Sequence, residues 1–271
     1  MYTGTSIVTV SATSKGLPIC PIAWGIPKSA SGGTFPPMLL SPCVCGGMTP
    51  GSRFDMSSAM LLLADSQLLF RTGSAPELLQ TVRQRFTTGV DAAYIGAANG
   101  NDRAFYQLAC AGLDALTGHH NNTRLVAEVS DLPPSPSPLV MLAGGSVARG
   151  WAFLSEPRVR HWLHCCHRLP GSLIIGVSAG AIHLANGLDP EQPDRGRQTF
   201  LNWLPYDIAV HEEQQHWPSL TGFPALGIPF GGGIWVETGS GQPYLRSLGT
   251  QSFRLTIRGV REPVAYLERP Q

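Results

Sequence analysis

The sequence reads as an α/β protein, a three-layer sandwich on a mostly parallel central sheet. Two observations carry this reading. Short apolar runs alternate with segments of helical period along most of the chain, and each run is apolar throughout rather than at every second residue. Strands covered by helices on both faces have that pattern. The chain has 271 residues, 43% of them apolar, which is ample for a full core. Its charged fraction of 14% lies below the roughly 25% usual for soluble domains. A formal net charge of +1 makes no electrostatic case for nucleic acid or for an anionic membrane surface, both of which call for clustered Lys and Arg.

The elements follow in order. Met60–Ala64 is a buried strand, and Pro76 to Phe86 an amphipathic helix with Pro in its first turn. Ala92–Ala97 is a second strand, ending in the loop 98–102, and Arg103 to Leu116 is a helix. Thr123 to Val129 is a strand, followed by a stiff connector containing Pro133, Pro134, Pro136 and Pro138. Leu139–Ala143 is a strand closed by Gly144-Gly145-Ser146, and a helix from Ala148 to Cys166 breaks near Pro157. Leu173–Val177 is the next strand, with a helix over Ala179 to Asn186. From Leu226 to Leu267 the pattern turns to short strands joined by Gly-rich turns.

Residues 1–57 stand apart as an irregular arm rich in Gly, Pro and Ser, with one short strand-like run, Ser6–Val10. A translation start at Met56 or Met60 is the alternative explanation of that segment. The hydrolytic domain suggested below then occupies 58–271. Six cysteines are too few for a disulfide scaffold at this length. No apolar run approaches the roughly 18 residues of a membrane span, and no secretory signal is evident. A cytoplasmic location is therefore expected.

The sharpest chemical feature is Gly176-Val177-Ser178-Ala179-Gly180, between an apolar strand and a helix. Gly-x-Ser-x-Gly in that setting is a nucleophile elbow, whose strained turn exposes the serine at the sheet edge. An oxyanion needs donors. The N–H of Ala179 is one candidate, and that of Gly145 or Ser146, at the end of the preceding strand, is the second. The general base calls for a histidine. His119 and His120 sit in a polar loop. His161, His164 and His167 precede the elbow strand and belong at the other edge, while His183 packs on the elbow helix. His211 closes the strand-like run Tyr206–Val210 and is the first choice, with His216 in reserve. Asn99 and Asp102, in a loop at the presumed active edge, are candidates for substrate contact, as is Ser146.

The order of apolar strand, Gly-Gly-Ser, strand, Gly-Val-Ser-Ala-Gly-Ala, then Leu201-Asn202-Trp203-Leu204-Pro205 leading to His211 resembles the serine-peptidase family of aspartyl dipeptidase (dipeptidase E) and cyanophycinase. The resemblance runs from about Met60 to Val236. It implies a class I glutamine-amidotransferase-like fold and a serine triad, with Ser178 as nucleophile, His211 as base, and Gly145 and Ala179 as oxyanion donors. Two departures accompany it. Ser146 stands where the family usually has Asn. Phe230 stands where the family has the acidic third member, for which Glu237 and Glu213 are two substitutes, the latter through the His-x-Glu spacing of glutamine amidotransferases. A dyad without a carboxylate is the third possibility. The stretch from Glu212 to Phe223 has no arginine, unlike the surroundings of the histidine in cyanophycinase.

His164-Cys165-Cys166-His167 has metal-ligand residue types, but only His164 and His167 share a helical face, so no metal site is expected. No organic cofactor is implied either. The favoured function is a serine peptidase or amidohydrolase acting on a small peptide or amino-acid-derived substrate, with homodimerisation left open. The alternatives are a catalytically impaired binding or scaffold protein on the same fold and an α/β-hydrolase-type esterase.

Overall fold

Apolar five-residue runs form the middle of the central sheet in the computed structural model, which describes residues 57–268 except for 71, 72, 74, 221, 223, 239 and 240. The arm expected over 1–57, with its strand-like run at Ser6–Val10, thus lies outside the described residues but for Ser57. In chain order the strands are β1 (Ala59–Leu63), β2 (Asp91–Ile95), β3 (Asn122–Leu125), β4 (Leu139–Leu142), β5 (Leu173–Val177), β6 (Asn186–Gly187), β7 (Gln198–Thr199), β8 (Asp207–Val210), β9 (Ala225–Ile228), β10 (Gly232–Glu237), β11 (Tyr244–Gly249), β12 (Phe253–Leu255) and β13 (Arg261–Pro263). The helices are α1 (Gln67–Phe70), α2 (Pro76–Arg85), α3 (Arg103–Thr117), α4 (Val147–Leu154), α5 (Pro157–His167) and α6 (Ala179–His183).

The central sheet has seven strands in the order β11-β10-β1-β5-β4-β2-β3. The five from β1 to β3 pair in parallel, and β10 and β11 close one side antiparallel. Alternation of side chains across the pleat divides the apolar runs between two cores. Leu61, Leu63, Ile175 and Val177 pack with Leu69, Leu78, Val82, Leu113 and Leu116 of α1, α2 and α3. Met60, Leu62 and Ile174 pack with α4, α5 and α6 and with Ile208, Val210, Leu226 and Ile228. Each such fully buried aliphatic side chain contributes about 1.5–3 kcal/mol relative to exposure.

Those last four residues belong to a second, six-stranded sheet of order β13-β12-β9-β8-β6-β7, in which β6, β8 and β9 run parallel. The sequence shows this region only as short strands. The second sheet matters for function because β8 ends at Val210, and His211 follows it.

Local chemistry sets the boundaries. Asp102 caps α3, its carboxylate accepting from Ala104 N–H at 2.7 Å and Phe105 N–H at 3.2 Å, and Gly118 closes the helix at φ 77°. Pro157 opens α5 and separates it from α4, as expected. Strand β3 stops at Leu125, short of Val129, because Asp131 accepts the N–H groups of Ala127 and Glu128 at 3.0 Å and turns the chain. The elbow helix α6 also ends early, at His183 rather than Asn186. The carbonyls of His183, Leu184 and Ala185 accept from the N–H groups of Leu201, Trp203 and Phe200, so a crossing segment takes the partners that another helical turn would use. Among the described residues, no helix is long and apolar enough to cross a membrane.

Candidate active site

The elbow begins where β5 leaves the middle of the sheet. Ser178 has φ 50° and ψ −112°, a conformation costing a non-glycine residue roughly 1–3 kcal/mol. Its N–H donates to Leu63 O of β1 at 2.8 Å, and its carbonyl accepts from Ala181 N–H at 2.9 Å. Close approach fixes the flanking glycines. A Cβ at position 176 would lie 2.6 Å from Gly180 O, and one at position 180 would lie 2.4 Å from Leu142 O. The strain is therefore held by backbone packed against backbone on both sides of the serine.

His211 arrives from the second sheet. It too has a positive φ, 45°, and its N–H donates to Ile228 O of β9 at 2.8 Å. Ser178 Oγ and His211 Nε2 stand 2.9 Å apart. With the hydroxyl donating, the ring carries its own proton on Nδ1. Ser178 is half-buried and the imidazole exposed. Among the described residues, Nδ1 of His211 has no hydrogen-bond partner.

The two carboxylates proposed for that position do other work. Glu237 is a correction: β10 runs antiparallel to β1, pairing Glu237 with Ala59 and Gly233 with Leu63, while Leu63 pairs with Val177. Glu237 therefore lies at the edge of the sheet opposite Ser178. There it accepts from Trp235 Nε1 at 3.3 Å and attracts Arg85, whose pKa is lowered by burial against that attraction. The direction of a strand decides which end reaches the site, and a late apolar run read alone does not give it.

Glu213 does line the cleft that holds His211, but its Oε1 accepts the N–H of Phe230 at 3.2 Å. Asp65, at the end of β1, accepts Gln67 N–H at 2.7 Å and Gly231 N–H at 2.6 Å. Two carboxylates thus hold the β9–β10 turn by successive backbone groups, and Phe230, 56% exposed, projects beside the serine and the histidine.

The opposite side of Ser178 is formed by the loop after β4. A Cβ on Gly144 would come within 3.2 Å of Ser178 Cβ. Gly145 has φ 133°, and a Cβ there would lie 2.4 Å from Ala98 O, so only glycine fits. Ser146 N–H donates to that same Ala98 carbonyl at 3.0 Å, which removes it as an oxyanion donor. The N–H groups of Gly145 and Ala179 have no acceptor among the described residues, and both residues line a cleft with Ser178 and His211. Because α6 has only five residues, these two local N–H groups, rather than a long helix dipole, are what the site offers an oxyanion.

The remaining expectations divide. Ser146 Oγ accepts weakly from Arg149 N–H at 3.5 Å at the start of α4 and donates to Glu191 Oε2 at 2.7 Å. Asn99 Nδ2 donates to the Tyr94 hydroxyl at 2.8 Å, and Asp102 is the α3 cap. The structure does not bring Asn99 or Asp102 into either cleft beside Ser178; Asn99 stands behind the Gly145 loop instead. His183 packs as expected, buried with Nε2 at 2.9 Å from Val147 O, and burial lowers its pKa to about 4. His167 stacks on Trp203, ring centroids 4.4 Å apart, and burial takes it to about 4 as well. Cys166 accepts from Ser137 N–H at 3.2 Å, and burial pushes its thiol up to about 12. Cys166 and His167 thus serve packing, while His164 is exposed. Neither ring of the reserve candidate His216 nor its chain neighbour Trp217 lines the two clefts.

Two clefts flank the Ser178–His211 pair. One, of about 590 Å³, is lined by Asp65, Ser66, Glu213, Gln214 and Phe230 among others. The other, of about 540 Å³, contains Gly145 and Ala179 and is walled largely by apolar residues. Both lie within the usual size of small-molecule sites. Among the described residues, neither has a Lys or Arg in its lining. Asp65, Glu191 and Glu212 were not legible as site residues, although Asp65 carried a signal: a carboxylate at the end of a buried strand parallel to the elbow strand.

No known family model matches the sequence, and no curated protein does. Among solved structures, a peptidase from an acI-B1 Actinobacterium is similar in fold, with a TM-score of 0.58 and 13% identity over 79% of this chain and 96% of that one. A Listeria monocytogenes EGD-e protein described as a peptidase E aligns over 71% of this chain and 100% of that one, with 15% identity and a TM-score of 0.43. At these identities the likeness to the actinobacterial peptidase is one of fold.

Proposed function

We propose that the protein is a serine hydrolase that cleaves amide bonds of small peptides or amino-acid conjugates through an acyl-enzyme. The observation that carries this reading is the 2.9 Å contact between Ser178 Oγ and His211 Nε2, made by a serine held at φ 50°. A serine that only terminated a strand would need neither the strain nor the imidazole. In the reaction, Ser178 Oγ attacks the substrate carbonyl carbon while Nε2 of His211 takes the hydroxyl proton. The carbonyl oxygen becomes an oxyanion facing the N–H groups of Gly145 and Ala179. Collapse of this intermediate breaks the C–N bond, and His211 returns the proton to the leaving amine. Water, deprotonated by His211, then attacks the ester and releases the acid, restoring the Ser178 hydroxyl. The peptidase-bearing fold of the actinobacterial structure supports the reading.

Two observations favour a second reading. The Nδ1 of His211, unpartnered among the described residues, and the aromatic Phe230 at the turn suit a binding protein that retains the fold without turnover. Hydrolysis of a panel of dipeptides and aminoacyl p-nitroanilides separates the two. Cleavage by wild type that falls by about 10²–10⁴-fold in His211→Ala, and at least as far in Ser178→Ala, supports the hydrolase. Binding of panel members without cleavage by wild type supports the second reading.

A further inference from the structure

The two clefts differ in chemistry, and that difference names a substrate class. Gly145 and Ala179 line only one of them, and the acyl group is assigned to that side, next to the two oxyanion donors. His211 lines both, and from Nε2 it serves a leaving group departing into the other. The acyl-side cleft is walled by Val147, Ile182, Leu188, Pro190, Val210 and Pro218, all aliphatic. Among the described residues, its acidic and basic lining side chains besides His211 are Glu191 and Glu212. Both carboxylates are held in place: Glu191 by Ser146 Oγ at 2.7 Å, Glu212 by Ser219 N–H at 3.0 Å and by Ser219 Oγ. Among the described residues, no cation in the lining neutralises them.

We infer that the enzyme selects substrates whose acyl group is neutral and aliphatic and rejects those with an anionic acyl side chain, with Glu191 as a determinant of the rejection. This rests on the hydrolase reading above and assigns the acyl side of that same site. An aliphatic acyl chain buries apolar area against the wall without stranding a polar group. A carboxylate there would face two fixed like charges, with no counter-ion among the described lining residues, and such an unpaired charge is the repulsive element through which a site discriminates.

The test keeps the leaving group constant. kcat/KM is measured with p-nitrophenyl isovalerate and p-nitrophenyl hemisuccinate, on full-length wild type, Glu191→Gln and Glu191→Lys. Glu191 is exposed, so these variants retain the core. A small neutral fluorophosphonate is applied in parallel to report whether Ser178 reacts. The expected result is labelling of Ser178, a preference for isovalerate of about 10²-fold, and a preference narrowed about tenfold in Glu191→Lys, tenfold being about 1.4 kcal/mol. Labelling of Ser178 with equal rates on the two esters, or faster hemisuccinate hydrolysis, would overturn the acyl assignment while leaving the hydrolase in place. A preference unchanged in Glu191→Lys would remove Glu191 as its cause. Absence of both labelling and turnover would overturn the hydrolase reading, and the specificity with it.

Discussion

The Nδ1 face of His211, without a hydrogen-bond partner among the described residues, governs how the Ser178 hydroxyl is activated. In a full triad a buried carboxylate fixes the imidazole tautomer and stabilises the imidazolium. Here Glu213 holds Phe230 N–H at 3.2 Å instead, and Glu237 sits at the far edge of the sheet. The pair is therefore expected to work as a dyad. Glu213→Gln and Glu237→Gln should each lower kcat by less than about tenfold, whereas His211→Ala should remove the roughly 10²–10⁴-fold contribution of a general base. Steady-state kinetics on one p-nitrophenyl ester checks all three. Ser178 and His211 were legible because their residue types are constrained by local context, a small-residue turn and the end of an apolar run. The carboxylates were not. Asp65, Glu191 and Glu212 gain their positions from elements far apart in sequence, and each alone looks like a solvated loop acid.

At the scale of elements, the site depends on three turns: the elbow after β5, the loop after β4 and the β9–β10 turn. The elbow is the tightest. Gly180→Ala places a Cβ 2.4 Å from Leu142 O, so either β4 or α6 has to shift. A loss on the order of 1–3 kcal/mol is expected from such overpacking, measured by denaturant unfolding. The β9–β10 turn depends on Asp65, which accepts Gln67 and Gly231 N–H groups. Asp65→Ala leaves both donors without that acceptor and is expected to cost about 1–3 kcal/mol and to loosen Phe230, readable as faster amide exchange at Phe230 and Gly231. The strands of the parallel sheet could be read from their unbroken apolar runs. The early end of α6 could not, because residues 200–203 compete for its last carbonyls, and that competition is tertiary. The second sheet was only partly legible, since strands of two to four residues carry too little pattern to show how they pair.

At the scale of the whole molecule, folding neutralises two histidines that take no part in the proposed reaction. His183 and His167 have pKa values near 4, below the ordinary value of 6.5, because burial disfavours the imidazolium. Between pH 4 and 6.5 the unfolded chain therefore binds more protons than the folded one. The stabilisation is complete above about pH 6.5 and is lost as pH falls toward 4. For His183 alone the loss is on the order of 3 kcal/mol. Thermal unfolding midpoints are expected to drop across that window, and His183→Gln, whose side chain does not titrate, should flatten the drop. Midpoints independent of pH in this range would contradict it. Folding also joins the site itself, since Ser178 follows a strand of one sheet and His211 a strand of the other, and their convergence is the central claim. Fluorophosphonate labelling, read by intact mass and peptide mapping, tests it most directly on wild type and His211→Ala. A single adduct on Ser178 in wild type, and its loss or marked slowing in His211→Ala, is the expected result. Labelling of Ser178 at the same rate without the His211 imidazole, or an adduct on another serine, would contradict it.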